Sequence, residues 1–165
     1  MKGKELVGLM GIICLLAVPL AMAYDASSAY TINMRWIVPS DTTFSVSVSG
    51  GAATIDFSPA SKTETEVEAT GQIAASSVPI LNITNDGNIN MNFSNNLNEA
   101  KEAWSVVKSS NANVYAAASS FDTTAVTLED DVSAGSSVTV YLWTDVTNAA
   151  AGTTTKEYNI SGVAS

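Results

Sequence analysis

The 165-residue sequence contains no histidine, and its one cysteine is Cys14. These two absences exclude most nucleophilic and metal chemistry. A Ser-His-Asp or Cys-His pair cannot be built, and neither can a zinc site of His and Cys ligands. Basic side chains are also scarce, seven Lys and Arg against sixteen Asp and Glu, and they form no cluster. A net charge of -9 without a basic patch argues against a grip on a phosphate backbone, so no nucleic-acid partner is expected. Ser, Thr and Asn instead supply 51 of the residues from Tyr24 onward, a composition suited to exposed strand surfaces.

The N-terminus reads as an export signal over residues 1–23. Lys2 and Lys4 precede an apolar run broken only by glycines and Pro19, and Ala21-Met22-Ala23 has the small-x-small pattern of a cleavage site. The expected location is secreted, extracellular or cell-surface, with the membrane met only through the signal. An uncleaved anchor is the rival reading, but as a helix the uncharged stretch spans ~27 Å, just short of the ~30 Å of a bilayer core. Cys14 follows Gly11-Ile12-Ile13 without the small residue that a lipid-attachment cysteine needs before it. Glu5 stands too early for a prepilin-type signal. Cleavage after Ala23 leaves one domain-sized chain, residues 24–165, with five basic and fifteen acidic side chains. It keeps no cysteine, so packing must hold it without disulfides, alone or with assembly.

Along most of that chain apolar and polar residues alternate, the period of half-buried strands. Residues 30–38 are the first expected strand, with Ile32, Met34 and Trp36 on one face and Pro39 closing it. Phe44, Val46 and Val48 precede Gly50-Gly51, and Ala53, Ile55 and Phe57 follow it. This predicts a hairpin with a two-residue type I′ turn pairing Phe44 with Phe57 and Val46 with Ile55. Glu64, Glu66 and Glu68 suggest a solvated edge strand or a loop. Around Asp86-Gly87, a three-residue loop pairs Ile83 with Ile89 and Leu81 with Met91, with Gly87 left-handed; a two-residue loop would scatter the apolar residues over both faces. Asn98 could cap a short helix through Ala103, and Trp104 and Val106 alternate like the start of a strand. Residues 114–121 and 125–128 are strand-like. Residues 137–144 give the clearest strand, with Val138, Val140 and Leu142 facing one way and Tyr141 and Trp143 the other. Residues 153–160 return as the last. Seven to nine short strands with almost no helix predict an all-β, antiparallel Greek-key β-sandwich.

Two stretches carry a family resemblance. Asn82-Ile83-Thr84-Asn85-Asp86-Gly87-Asn88-Ile89-Asn90 resembles the strand-turn-strand "N-x-G-N" segment of immunoglobulin-like domains in archaeal and bacterial cell-surface proteins. Ala134-Gly135 with residues 137–145, then Ala151-Gly152 with residues 153–160, resembles the closing strand pair of those domains, although Thr153-Thr154-Thr155 stands where an aromatic is usual. The similarity covers roughly residues 78–162. It implies an Ig-like sandwich that builds surface layers, stalks or extracellular filaments, with no catalytic residues to carry over.

Four constellations remain to be placed. Glu129-Asp130-Asp131 offers hard oxygens for Ca²⁺, or else a solvated turn; the Asp-x-Asp-x-Asp-Gly loop is absent, and no other cofactor is expected. Carboxylate pairs for a glycosidase arise by accident among fifteen acids and would need a sugar-sized cleft, so no enzyme is expected. Trp36, Trp104 and Trp143 could form a sugar-stacking platform, and Tyr141 with Trp143, on the polar side of their strand, form an expected contact surface for a glycan or another surface protein. Asn82, Asn92 and Asn159 head sequons for N-glycosylation. The expected function is a non-catalytic structural subunit of a cell-surface assembly or filament, a homo-oligomer or polymer; a carbohydrate-binding or adhesion module is the alternative. Ile32, Met34 and Trp36 form the assembly strand if residues 24–38 are exchanged between subunits. The same strand could instead pair within its own sandwich.

Overall fold

The period-two alternation becomes nine strands in the computed structural model, which describes residues 35, 38–149 and 151–165. They are β1 (Phe44–Val48), β2 (Thr63–Glu68), β3 (Leu81–Asn85), β4 (Met91–Leu97), β5 (Ser105–Ser110), β6 (Ser119–Phe121), β7 (Val126–Val132), β8 (Ser137–Thr147) and β9 (Tyr158–Ala164). Helical structure among the described residues is limited to three single 3-10 turns, at Ser49–Gly51, Ala74–Ser76 and Tyr115–Ala117. No helix there is long and apolar enough to cross a membrane. The signal segment and the expected strand with Ile32, Met34 and Trp36 lie outside the described residues, apart from Arg35 and Val38, which are exposed.

All strand pairs are antiparallel and make two sheets. The larger runs β1-β3-β8-β5-β6, with β2 also on β8; the smaller runs β7-β4-β9. The eleven residues of β8 are the spine of the larger sheet. Residues 137–140 pair with β3, while residues 143–147 pair with β2. Residues 141–146 pair with β5. Alternation then turns one row of each sheet toward the other. Leu81, Ile83, Val138, Val140 and Leu142 from the larger sheet share one buried core with Met91, Phe93, Leu97, Leu128 and Val132 from the smaller. The all-β, sandwich-like character is as expected, and residues 39–165 form one compact unit.

Several local pairings differ from expectation. Gly50 and Gly51 both take the positive φ that a type I′ turn needs, at 71° and 67°. Yet β1 pairs with β3, Val46 opposite Ile83, and residues 53–57 return only as a single bridge from Phe57 to Ala69. Nor do β3 and β4 form a hairpin: they lie in different sheets, and residues 86–90 arch between them. Leu81, Ile83 and Met91 still face inward, because alternation fixes the face and not the partner. Gly87 is not left-handed. A Cβ there would stand 2.1 Å from the Asp41 carbonyl oxygen, so glycine is needed for a close backbone approach. The expected helix over 97–103 does not form. Leu97 ends β4, and Lys101 N–H turns back to Asp122 Oδ1 at 2.9 Å. The segment at Glu64–Glu68 is an edge strand, interrupted by a bulge at which Glu66 has φ 59°. The last strand begins later than expected, at Tyr158, and pairs with β4 rather than with β8.

Candidate functional site

A groove of about 970 Å³ lies between the two sheets. Its floor includes the buried Leu81, Leu97, Phe121 and Leu142. Phe44, Val48, Ile55, Phe57, Val107, Tyr158 and Ile160 are half-buried residues packed on the core, and all of them line it. The groove is thus apolar core surface that the described residues leave incompletely covered.

The groove has a closed end and an open end. At the closed end Phe44 stacks edge-on against Phe93, with ring centroids 5.4 Å apart. There a Cβ on Gly162 would stand 3.1 Å from Phe44 Cδ1 of the larger sheet, besides 2.6 Å from Met91 Cε and 2.9 Å from Phe93 Cε1 of its own. At the open end lie Lys101, Glu102, Trp104 and residues 152–157, where Lys156 pairs with Glu99 at 3.4 Å and Glu102 at 3.5 Å. Beside the groove β9 pairs with β4 alone and β1 with β3 alone, so each has an edge without a partner among the described strands.

A polar pocket interrupts the apolar lining. Asn95, on β4, is 1% exposed, and its Oδ1 accepts from Ser109 Oγ at 3.2 Å. Its Nδ2 and the Tyr158 hydroxyl are buried and lack a hydrogen-bond partner. Burial pushes the Tyr158 hydroxyl far above its ordinary pKa, an effect that the Asn95 amide beside it only partly offsets.

Tyr141 and Trp143 do not form an exposed contact surface. They do point away from Val140 and Leu142, as the alternation requires, but they are only 4% and 2% exposed. The 3-10 turns at Ala74–Ser76 and Tyr115–Ala117 belong to segments that cover this outer face. Ala74, Tyr115 and Ala118 pack with the pair in a second small core. Trp143 is stacked on Tyr141 and meets Tyr115 edge-on, both at 6.1 Å. The Trp36, Trp104 and Trp143 platform is not assembled either: Trp104 lines the groove between the sheets, Trp143 lies on the outer face of the larger one, and Trp36 is outside the described residues.

Beside this second core is a polar triad that the sequence reading missed. Lys108 Nζ donates to the Tyr115 hydroxyl at 2.5 Å, which donates to Asp145 Oδ2 at 2.5 Å. Lys108 also pairs with Asp145 at 3.3 Å, and Glu66 N–H donates to Asp145 Oδ1 at 2.9 Å. Burial alone would raise the Asp145 carboxyl, but the bonds from Tyr115, Glu66 and Lys108 outweigh it and hold the pKa below its ordinary value. The spacing of Lys108 and Asp145 in sequence gave no signal; their strand register brings them together.

Glu129, Asp130 and Asp131 lie on β7 rather than in a turn, and they do not converge. Glu129 accepts from Asn111 Nδ2, and Asp130 is exposed. Asp131 sits at a bulge with φ 59°, where its Oδ1 accepts from Asn90 Nδ2 at 3.0 Å and Ser165 Oγ at 2.9 Å. No group of three candidate metal ligands occurs among the described residues. Of the sequon asparagines, Asn82 and Asn92 sit half-buried on strands flanked on both sides, and Asn92 Oδ1 accepts from Asp131 N–H at 2.7 Å. Asn159 is exposed on β9.

No protein-family model matches the chain, and no curated protein or solved structure matches it.

Proposed function

We propose that the protein is a secreted, non-catalytic structural subunit of a cell-surface assembly or filament. In this reading it is an Ig-like Greek-key domain delivered by cleavage of residues 1–23. Subunits join by exchange of residues 24–38, Ile32, Met34 and Trp36 of one copy entering the groove of the next. The observation that supports this is the groove itself, an apolar interior surface flanked by edges without a partner among the described strands; the sequence adds an N-terminal segment whose apolar row has strand spacing. Strand addition would satisfy backbone groups and fill side-chain pockets together. The test is the chain from residue 39 onward, mixed with a peptide of residues 24–38. Exchange requires that this chain stay monomeric, bind the peptide and fail to polymerise, while the chain from Tyr24 polymerises. A chain from Tyr24 that stays monomeric at high concentration refutes the proposal.

A further inference from the structure

Resting on the exchange proposed above, we infer that β9 is the edge that receives the strand: residues 24–38 of a second copy pair with the backbone N–H and C=O groups of Tyr158, Ile160 and Gly162. Five of the described strands have a partner on one side only, namely β1, β2, β6, β7 and β9. Sheets guard such edges with charge, bulges or short strands. β2 carries Glu64, Glu66 and Glu68 and a bulge. β7 carries Glu129, Asp130 and Asp131, and its register against β4 shifts twice. β6 is three residues long. β9 has none of these guards: its seven residues include no charge and no proline, and all pair with β4 in one unbroken register. β1 is bare as well. Both bare edges flank the groove, whereas β2 and β7 contribute no residue to its lining.

The ladder fixes which groups β9 has free. Asn98 N–H donates to Glu157 C=O at 3.0 Å and Ser165 N–H to Asn90 C=O at 3.1 Å, both in the register of the β4 pairing. In an antiparallel pair, hydrogen-bonded and non-bonded residues alternate. Asn159, Ser161 and Val163 therefore bond to β4, and the N–H and C=O groups of Tyr158, Ile160 and Gly162 point to the open edge. These are also the residues on the core side: Tyr158 and Ile160 pack on the core, and a Cβ on Gly162 would meet Met91, Phe93 and Phe44. A strand that bonds to them turns every second side chain toward the groove, the period that residues 24–38 carry in their apolar row. Pro39 C=O accepts from Asn88 Nδ2 at 2.9 Å, in the arch beside the last residues of β9, so a copy's own residues 24–38 would approach β9 in the parallel sense. Those of a second copy are free to run antiparallel, as every described pair does. β1 offers Phe44, Val46 and Val48 by the same count, but it is only five residues long, and residues 53–57, returning from the turn after it, already line the groove.

Hydrogen exchange, read residue by residue on the chain from Tyr24 when dilute and when polymerised, tests the edge. In the dilute protein the N–H groups of Tyr158, Ile160 and Gly162 should exchange freely, and those of Asn159, Ser161 and Val163 slowly. Polymerisation should slow the first three at least about a hundred-fold and leave the others unchanged. Ile160→Pro supplies a second readout, because it removes an N–H that β4 does not use. It should need a concentration about ten-fold higher for polymerisation than Ile160→Ala, which loses the side chain but keeps the N–H. If Ile160→Pro does not fold, the exchange pattern decides alone. Slowing at Phe44, Val46 and Val48 instead, or equal polymerisation by the two variants, overturns the β9 edge while strand exchange stands. Polymers in which neither edge gains protection, or absence of polymers from the unsubstituted chain, overturn the exchange itself.

Discussion

Replacing Asn85 tests how the two sheets are joined. Its side chain is 0% exposed at the end of β3, where the chain leaves the larger sheet for the smaller. Nδ2 donates to Ile89 C=O at 2.8 Å and Val132 C=O at 2.9 Å, and Oδ1 accepts from Gly87 N–H at 3.0 Å. One amide thus ties β3 to the arch and to the end of β7. Asn85→Ala removes three hydrogen bonds of about 1 kcal/mol each and leaves backbone groups without partners, so a loss of about 3–4 kcal/mol is expected. That is a large share of the roughly 5–15 kcal/mol available to a domain, and it corresponds to about 10 °C in Tm. Asn85→Asp keeps the shape and the bond from Gly87 but sets a carboxylate against two carbonyls. Its pKa in the folded state should rise above the unfolded ~3.9. The folded state then binds its proton at higher pH than the unfolded state does, so acidification should restore stability to this variant. Urea titrations at pH 4 and pH 8 measure both effects. A loss below about 1 kcal/mol for Asn85→Ala, or an equal loss for Asn85→Asp at both pH values, would refute the role given to the amide.

Two further outcomes are expected. Trp143→Ala should lose about 3–5 kcal/mol by thermal or urea unfolding, as a buried aromatic does; a loss under about 1 kcal/mol would return Trp143 to the surface. Asp145, held below its ordinary pKa, contributes stability that is present above the unfolded pKa of about 3.9 and is lost as pH falls through the lower folded value. Asp145→Asn should therefore flatten the acid limb of the stability profile, and an unchanged acid limb would show that the triad contributes nothing to it.

Faces were legible in the sequence and partners were not. Val138, Val140 and Leu142 face the core and Tyr141 and Trp143 face away from it, as alternation alone requires. What covers the far face was hidden, because the covering residues Ala74 and Tyr115 come from distant segments, and residues 114–121, read as strand-like, instead make a 3-10 turn at Tyr115–Ala117 and a strand only at Ser119–Phe121. Residues 81–91 make the same point. A hairpin and an arch between sheets share one alternation pattern, and the difference lies in the buried Asn85 amide and the close approach of Gly87 to Asp41. The groove had no local signal at all, since its lining comes from segments far apart in the sequence. The Glu64–Glu68 row was readable because charges at alternate positions suit an unpaired edge.

The position of β8 also governs when the chain can fold. Thr63 pairs with Thr147 and Ile83 with Val138, so β2 and β3 wait for a strand far downstream, and β5 waits for the same one. Before β8 arrives, only β1 with β3, β5 with β6 and β4 with β7 have partners within reach. Contacts so distant in sequence close large loops and fold slowly, in milliseconds to seconds. A chain threaded through a membrane channel from its N-terminus would therefore stay unfolded until nearly all of it had crossed, because the strand that organises the larger sheet is among the last to emerge.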